Sequence, residues 1–397
     1  MAMWAGATVV AQAQKQTDPD AAGAVAQLSG IWTPYVELDG QVFPSMIVST
    51  ATMKHEEGEL PENFFGDLSG MFGANVIPPK DQCEVVVEVR GDAIMEPATV
   101  RATLPKAGES YLVVPKINWK FDKLLDVRQR MPANVTIKVQ IGDNPASEKT
   151  ITVDLRSVND CPWFLPNTDP DAEQGPGTDM SFLFAAYVNE DHPVVDQVLK
   201  DALATRIVDA FIGYQGQSEE SVNNQVFAVW NTLQKRGIRY SSITASAGKT
   251  AFVYSQHVRF IDQAIDNQQA NCVDGSVLFA SVLRKVGLKV RLVSVPGHMY
   301  MAYAIDAEGE KWMGIETTLL GANNPDDQKV MAELSLDDKW KTEASFTGFQ
   351  HAVEVANDDL NTNAQKFEDP ENVDFQLIDI DQARELGIIP IAHRPIR

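Results

Sequence analysis

The chain has 397 residues, and at roughly 150 residues per domain that length predicts two or three domains. Charged residues make up 22% and the hydrophobic set 44%, an ordinary globular composition that excludes a wholly disordered, collagenous or membrane-spanning chain. Lys plus Arg number 33 against 55 Asp plus Glu, a net charge of −22, so the surface repels phosphate backbones and disfavours nucleic acid as a partner.

No stretch approaches the roughly 18 consecutive apolar residues of a transmembrane segment. Residues 1–30 read as a flexible N-terminus. They open MAMWAGATVVAQAQ, where Ala11-Gln12-Ala13 is a small-residue pattern like a signal-peptidase site, although the first Lys is Lys15 and no positive n-region precedes it. The segment reads as the remnant of an export signal, which predicts a periplasmic or extracellular protein. An unstructured terminus on a cytoplasmic chain is the other reading. Three cysteines in an exported protein leave one unpaired. Cys83 opens a strand-like run and Cys161 ends the region containing it, so these two are the candidates for a disulfide, and Cys272 would be the remaining thiol.

Residues 31–165 read as β. Val135, Ile137, Val139 and Ile141 alternate with Thr136, Lys138 and Gln140, the period of a half-buried strand. After the turn Gly142-Asp143-Asn144-Pro145, Ile151, Val153 and Leu155 alternate again. Residues 83–89, 98–104 and 111–114 are further strand candidates, and short strands at such spacing predict an antiparallel β-sandwich, a structural or binding module. A solvated linker is expected at 166–181, opening PNTDPDAEQGPGTD. It is not a calcium loop, because Gln174 stands at the sixth position in place of Gly and Met180 at the twelfth in place of Glu.

From Asn189 the period changes. Pro193, Val195, Val198, Leu199, Leu203 and Ile207 predict a helix ending near Gly213; Ser218 opens a second, stopped by Gly237; a third begins at Asn271 and runs to Gly287. Strands are expected at 289–295, 299–305 and 311–317, which makes an α+β domain over 182–322. The acidic remainder, 323–397, carries a helix expected around 346–356 and reads as an extension packed on that domain.

The chemistry concentrates in Asn271-Cys272-Val273-Asp274-Gly275. Asn271 is a good N-cap, which puts Cys272 in the first turn of an apolar helix, where unsatisfied N–H groups and partial positive charge favour a thiolate. Taken alone, such a Cys more often caps a core helix. A thiol nucleophile needs a base, and of six His (55, 192, 257, 298, 351, 393) His298, in Val295-Pro296-Gly297-His298 at the mouth of a strand, is the candidate. The others stand in polar contexts with no partner pattern. A turn at Asp306-Ala307-Glu308-Gly309 centred on residue 307 would set His298 directly opposite Glu316, whose carboxylate would orient the imidazole.

These segments, Ala270-Asn271-Cys272-Val273-Asp274-Gly275, then Val295-Pro296-Gly297-His298, then Trp312 through Glu316-Thr317-Thr318, resemble the transglutaminase-like superfamily of cysteine enzymes. The likeness covers roughly residues 182–321 and not the β region or the tail. It implies a papain- or transglutaminase-like catalytic domain with Cys272 as nucleophile, His298 as general base and acid, and Glu316 as orienter where the family usually has Asp. Asn271, Asp274 and Trp312 fit its pattern as supporting residues, Asp274 at the helix N-terminus and Trp312 as the aromatic before the acid. Gln256 or Gln263 could supply an oxyanion donor, and Arg259 and Tyr240 could serve the cleft. The implied activity is acyl transfer on amides of a protein or peptide substrate through a thioester. Hydrolysis, the presumed activity of the family's bacterial-looking members, is favoured; protein cross-linking and a non-catalytic scaffold are the alternatives. No cofactor or metal is expected: the chain has no His-x-x-x-His, Cys-x-x-Cys, P-loop or dinucleotide fingerprint.

Overall fold

The computed structural model describes residues 30–53, 60–167, 177–242, 247–322, 335–369 and 372–392. The chain is α+β and divides into two compact units, one of residues 30–48 and 60–158, the other of 49–53 and 159 onward. The expected export-signal remnant and residues 168–176 of the expected linker lie outside the described residues.

The first unit contains β1 (Ile31–Val36), β2 (Gln41–Val42), β3 (Phe64–Gly66), β4 (Phe72–Ile77), β5 (Cys83–Arg90), β6 (Met95–Glu96), β7 (Ala98–Leu104), β8 (Tyr111–Val114), β9 (Asn118–Trp119), β10 (Met131–Ile141) and β11 (Ser147–Leu155). One sheet has the order β1-β4-β8-β3 and another β2-β11-β10-β5-β7; β6 and β9 pair by themselves. Most neighbours are antiparallel, but β2 runs parallel to β11 and β3 to β8. The period-two pattern carries through: Val135, Ile137, Val139 and Ile141 on β10 are buried, as are Cys83, Val85, Val87 and Val89 on β5.

The first unit ends at Val158, short of the 165 expected for the β region. Residues Asp160–Pro166 form β12, and β13 (Gly177–Asp179), inside the expected linker, pairs with it. The other neighbour of β12 is β16 (Tyr254–His257), itself paired with β15 (Ala247–Lys249), so β12 belongs to the second unit. Tyr254 packs in tilted ring contacts against both Trp163 and Phe164, which favours this partner.

The expected bridge between Cys83 and Cys161 is absent: both are free. Cys83 belongs to the first unit and Cys161 to the second, and each sulfur lies 3.7 Å from a neighbouring backbone carbonyl, of Glu84 and Pro162 respectively. Burial pushes both thiols up.

In the second unit, helix α1 (Pro193–Ala204) ends well before Gly213. Its N-cap is His192, whose Nδ1 accepts from Val194 N–H. Helix α2 (Glu219–Lys235) is capped by Ser218, and a short α3 (Ile261–Asp266) follows. Helix α4 (Cys272–Val286) runs from its cap at Asn271 to Gly287, whose φ of +92° suits glycine. Strands β14 (Arg239–Tyr240) and β17 (Gln269–Ala270) pair in parallel just ahead of α4. The last sheet has the order β20-β19-β18-β21, formed by β18 (Val290–Val295), β19 (His298–Ala304), β20 (Trp312–Ile315) and β21 (Gln376–Asp379). Helix α4 packs on β18 and β19.

The C-terminal residues are part of this unit's architecture. Strand β21 is an edge of the sheet; α5 (Phe346–Thr362), longer than expected, packs along β20; α6 (Ile380–Glu385) supplies Asp381, which pairs with Arg284 of α4 at 2.6 Å.

Candidate functional site

The start of α4 is held by a polar cluster. Asp274 N–H donates to Asn271 Oδ1 at 2.9 Å, and Asn271 N–H donates to Asp274 Oδ2 at 3.0 Å, a reciprocal cap. Asp274 is wholly buried and also accepts from Arg259, through its backbone N–H at 2.8 Å and its guanidinium at 2.7 Å. Asp274 therefore braces the helix terminus. Arg259, a candidate for serving the cleft, instead pairs with it. Cys272 follows the cap directly and is partly exposed, unlike Cys83 and Cys161.

His298 arrives from the other side. Val295 pairs with His298 across the turn Pro296-Gly297, where Gly297 has φ +74°, so the histidine is the first residue of β19. Its Nε2 lies 2.6 Å from Glu316 Oε2. Its pKa rises from 6.5 to about 10, chiefly through hydrogen bonding with Cys272, then with Glu316, against the desolvation that would lower it. With Nε2 committed to the carboxylate, Nδ1 is the ring nitrogen left for the sulfur. The imidazole thus has the Glu316 carboxylate at hydrogen-bond distance and interacts with the Cys272 thiol.

Glu316 reaches this position by a register other than the expected one. The strands pair Met301 with Ile315 and Ala304 with Trp312, so the hairpin is centred on residue 308. The loop is longer because the Asp306 carboxylate collects the N–H groups of Gly309, Glu310 and Lys311. A continued ladder would set Glu316 opposite Tyr300. The displacement is two residues, so Glu316 keeps its face and remains diagonal to His298, within reach. It is the N-cap of a 3-10 turn (Thr317–Leu319), and its Oε1 accepts from Thr318 N–H at 2.9 Å and Thr318 Oγ1 at 2.6 Å. Burial alone would raise its pKa; the bond and charge of His298, with Thr318, outweigh that and hold it below the usual value.

Other expectations land elsewhere. Gln256 donates to His257 O at 3.1 Å, and Gln263 accepts from Phe260 N–H and from Asn159, so both amides are engaged in local structure. Trp312 donates to Gly309 O at 2.7 Å and lies under the Arg291 guanidinium at 3.8 Å, bracing the hairpin. Tyr240 is exposed and pairs with Ala270 beside the start of α4. Three histidines expected without partners have them: His257 lies 3.0 Å from Asp160, His192 3.7 Å from Asp262 and His351 3.7 Å from Glu354.

Sequence reasoning missed Gly275 and Thr317. A Cβ on Gly275 would stand 2.7 Å from Thr317 Oγ1, so only glycine lets α4 close on the turn that carries Glu316. The signal was legible: a glycine in a helix costs about 1 kcal/mol against alanine and often marks close packing. Among the described residues no group of three or more His, Cys, Asp or Glu could hold a metal ion, and no helix is long and apolar enough to cross a membrane. No family model matches this chain and no curated protein is similar to it, so the functional reading rests on the site itself.

Proposed function

We propose that this protein is a transglutaminase-like thiol enzyme that hydrolyses amide bonds of protein or peptide substrates, with its first unit a β-sandwich module ahead of the catalytic core. The supporting observation is the imidazole of His298 between Cys272 and Glu316. An imidazolium stabilised on both sides is the partner a thiolate nucleophile requires.

In this reading the Cys272 sulfur attacks the amide carbonyl, and the oxyanion is met by N–H groups at the start of α4. His298 passes its proton to the departing nitrogen as the C–N bond breaks, leaving a thioester on Cys272. Water then gives a proton to His298 and attacks the thioester, which releases the carboxylic acid and restores the Cys272 thiolate beside the His298 imidazolium. Glu316 keeps the imidazole in the required tautomer and balances its charge throughout.

The test is turnover of glutaminyl peptides and proteins, with ammonia release, peptide cleavage and incorporation of a labelled primary amine measured in parallel. Hydrolysis that disappears in Cys272→Ala is the expected result; amine incorporation in excess of hydrolysis would reassign the enzyme to cross-linking. Selective alkylation of Cys272 is insufficient alone, because Cys83 and Cys161 are buried. The decisive comparison is His298→Ala: if it alkylates at Cys272 as fast as the wild type near pH 6 and no substrate turns over, the scaffold reading replaces this one.

A further inference from the structure

Helix α5 covers the face of the sheet on which His298 and Glu316 stand. Ala356 is buried with Val293, Tyr300 and Ala302, and an added Cβ on Gly314 would come within 2.8 Å of Ala356 Cβ. Strand β20 is an edge, so the outward backbone groups of Gly314 need partners from elsewhere. The Asn357 side chain supplies both: Gly314 N–H donates to its Oδ1 at 3.1 Å, and its Nδ2 donates to Gly314 O at 3.2 Å. The amide is held in this orientation by a further bond from Nδ2 to Val353 O at 2.6 Å. Two residues along, Glu316 N–H donates to Ala352 O at 2.9 Å. One helix therefore stands in for the missing neighbouring strand at two points, the second being the backbone of the acid itself.

We propose that Asn357 is a positioning residue of the site: its amide clamps Gly314 and so holds the Glu316 carboxylate against His298. This rests on the catalytic reading of Cys272, His298 and Glu316. The Asn357 side chain acts on that group through the backbone of buried Gly314, so its loss disturbs the ionisation of His298 and leaves substrate binding alone. A mere staple between helix and strand would affect stability only.

The experiment compares full-length Asn357→Ala and Asn357→Asp with the wild type, following the pH profile of Cys272 alkylation by iodoacetamide, the imidazole titration of His298, kcat and KM, and the melting temperature. Asn357→Ala is expected to lower kcat by about 10- to 100-fold with KM little changed, and to move the alkaline limb of the profile to lower pH. Asn357→Asp, which can still accept from Gly314 N–H but cannot donate, falls between. A folded Asn357→Ala with the wild-type profile overturns the proposal. If Asn357→Ala does not fold, Asn357→Asp is read in its place, and if neither folds the role is structural and the proposal is wrong. His298→Ala run alongside separates the two levels: no change in Cys272 alkylation there sinks the catalytic reading, whereas a change there with none in the Asn357 variants sinks only the clamp.

Discussion

Gly275 and Thr317 meet so closely that an added Cβ on the glycine would lie 2.7 Å from the threonine Oγ1 and 3.1 Å from its Cβ. The contact joins the helix that begins at Cys272 to the turn capped by Glu316, so the spacing of Cys272 and Glu316 depends on an absent methyl group. Gly275→Ala is expected to cost about 1–3 kcal/mol by overpacking and to slow turnover. Combining it with Thr317→Ala, which removes the nearer atom, should recover part of both losses. Thermal melts and kcat for the two single variants and the double variant check this; strictly additive effects would contradict the contact.

The His298 imidazolium is expected to outlast neutral pH. Its pKa is raised from 6.5 to about 10, so its stabilising contribution is complete below about pH 6.5 and drains away as pH climbs toward 10. Glu316 is lowered, so its contribution is present above the ordinary carboxylate range and is lost as pH falls through its depressed value. NMR titration of the imidazole should show a drop in both Cys272→Ser and Glu316→Gln, the larger in Cys272→Ser, whose hydrogen bond is the leading cause. An imidazole titrating near 6.5 in the wild type would refute the arrangement.

Asp274, wholly buried at the start of α4, pairs with the partly exposed guanidinium of Arg259. Arg259→Ala leaves a buried carboxylate whose charge is no longer paired, and the expected loss is about 3–5 kcal/mol. Denaturant unfolding should find Asp274→Asn less damaging, since the amide oxygen can still accept from one of the two backbone N–H groups and the guanidinium left without its partner is partly exposed. The opposite ranking would mean that the carboxylate matters for something other than the pair.

In the first unit, burial raises Glu37 to about 7. The folded chain then binds a proton that the unfolded chain has released between the ordinary glutamate value of 4.5 and about 7, so stability falls as pH rises through that window. Glu37→Gln removes the cost of burying the charge. It should raise stability at pH 8 by up to about 3 kcal/mol and change it little at pH 4, measured as the shift of the unfolding midpoint. Equal effects at both pH values would show that Glu37 is not buried as an acid.

The elements of the site were legible because their signals are local. Asn271 ahead of an apolar run marks the helix that presents Cys272, Pro296-Gly297 marks the turn that launches His298, and Asp306 through Gly309 marks the hairpin that returns to Glu316. The face of Glu316 survived a mistaken loop length because an error of two residues preserves parity, where an error of one would have turned the carboxylate away. The fate of Cys161 was not legible, since its strand takes a partner about ninety residues away, where Tyr254 packs on Trp163 and Phe164.

Local order along the chain determined which residues cap, turn and alternate, and hence which three side chains could share a site; those preferences act over a few bonds and are written where they act. The tertiary structure alone decided that the C-terminal helix shores up the edge of the sheet, that Asn357 takes the place of a neighbouring strand, and that Gly275 is where two elements touch. Such contacts depend on which surfaces meet once the apolar faces are buried, and nothing in the spacing of residues separated by forty positions or more records that choice.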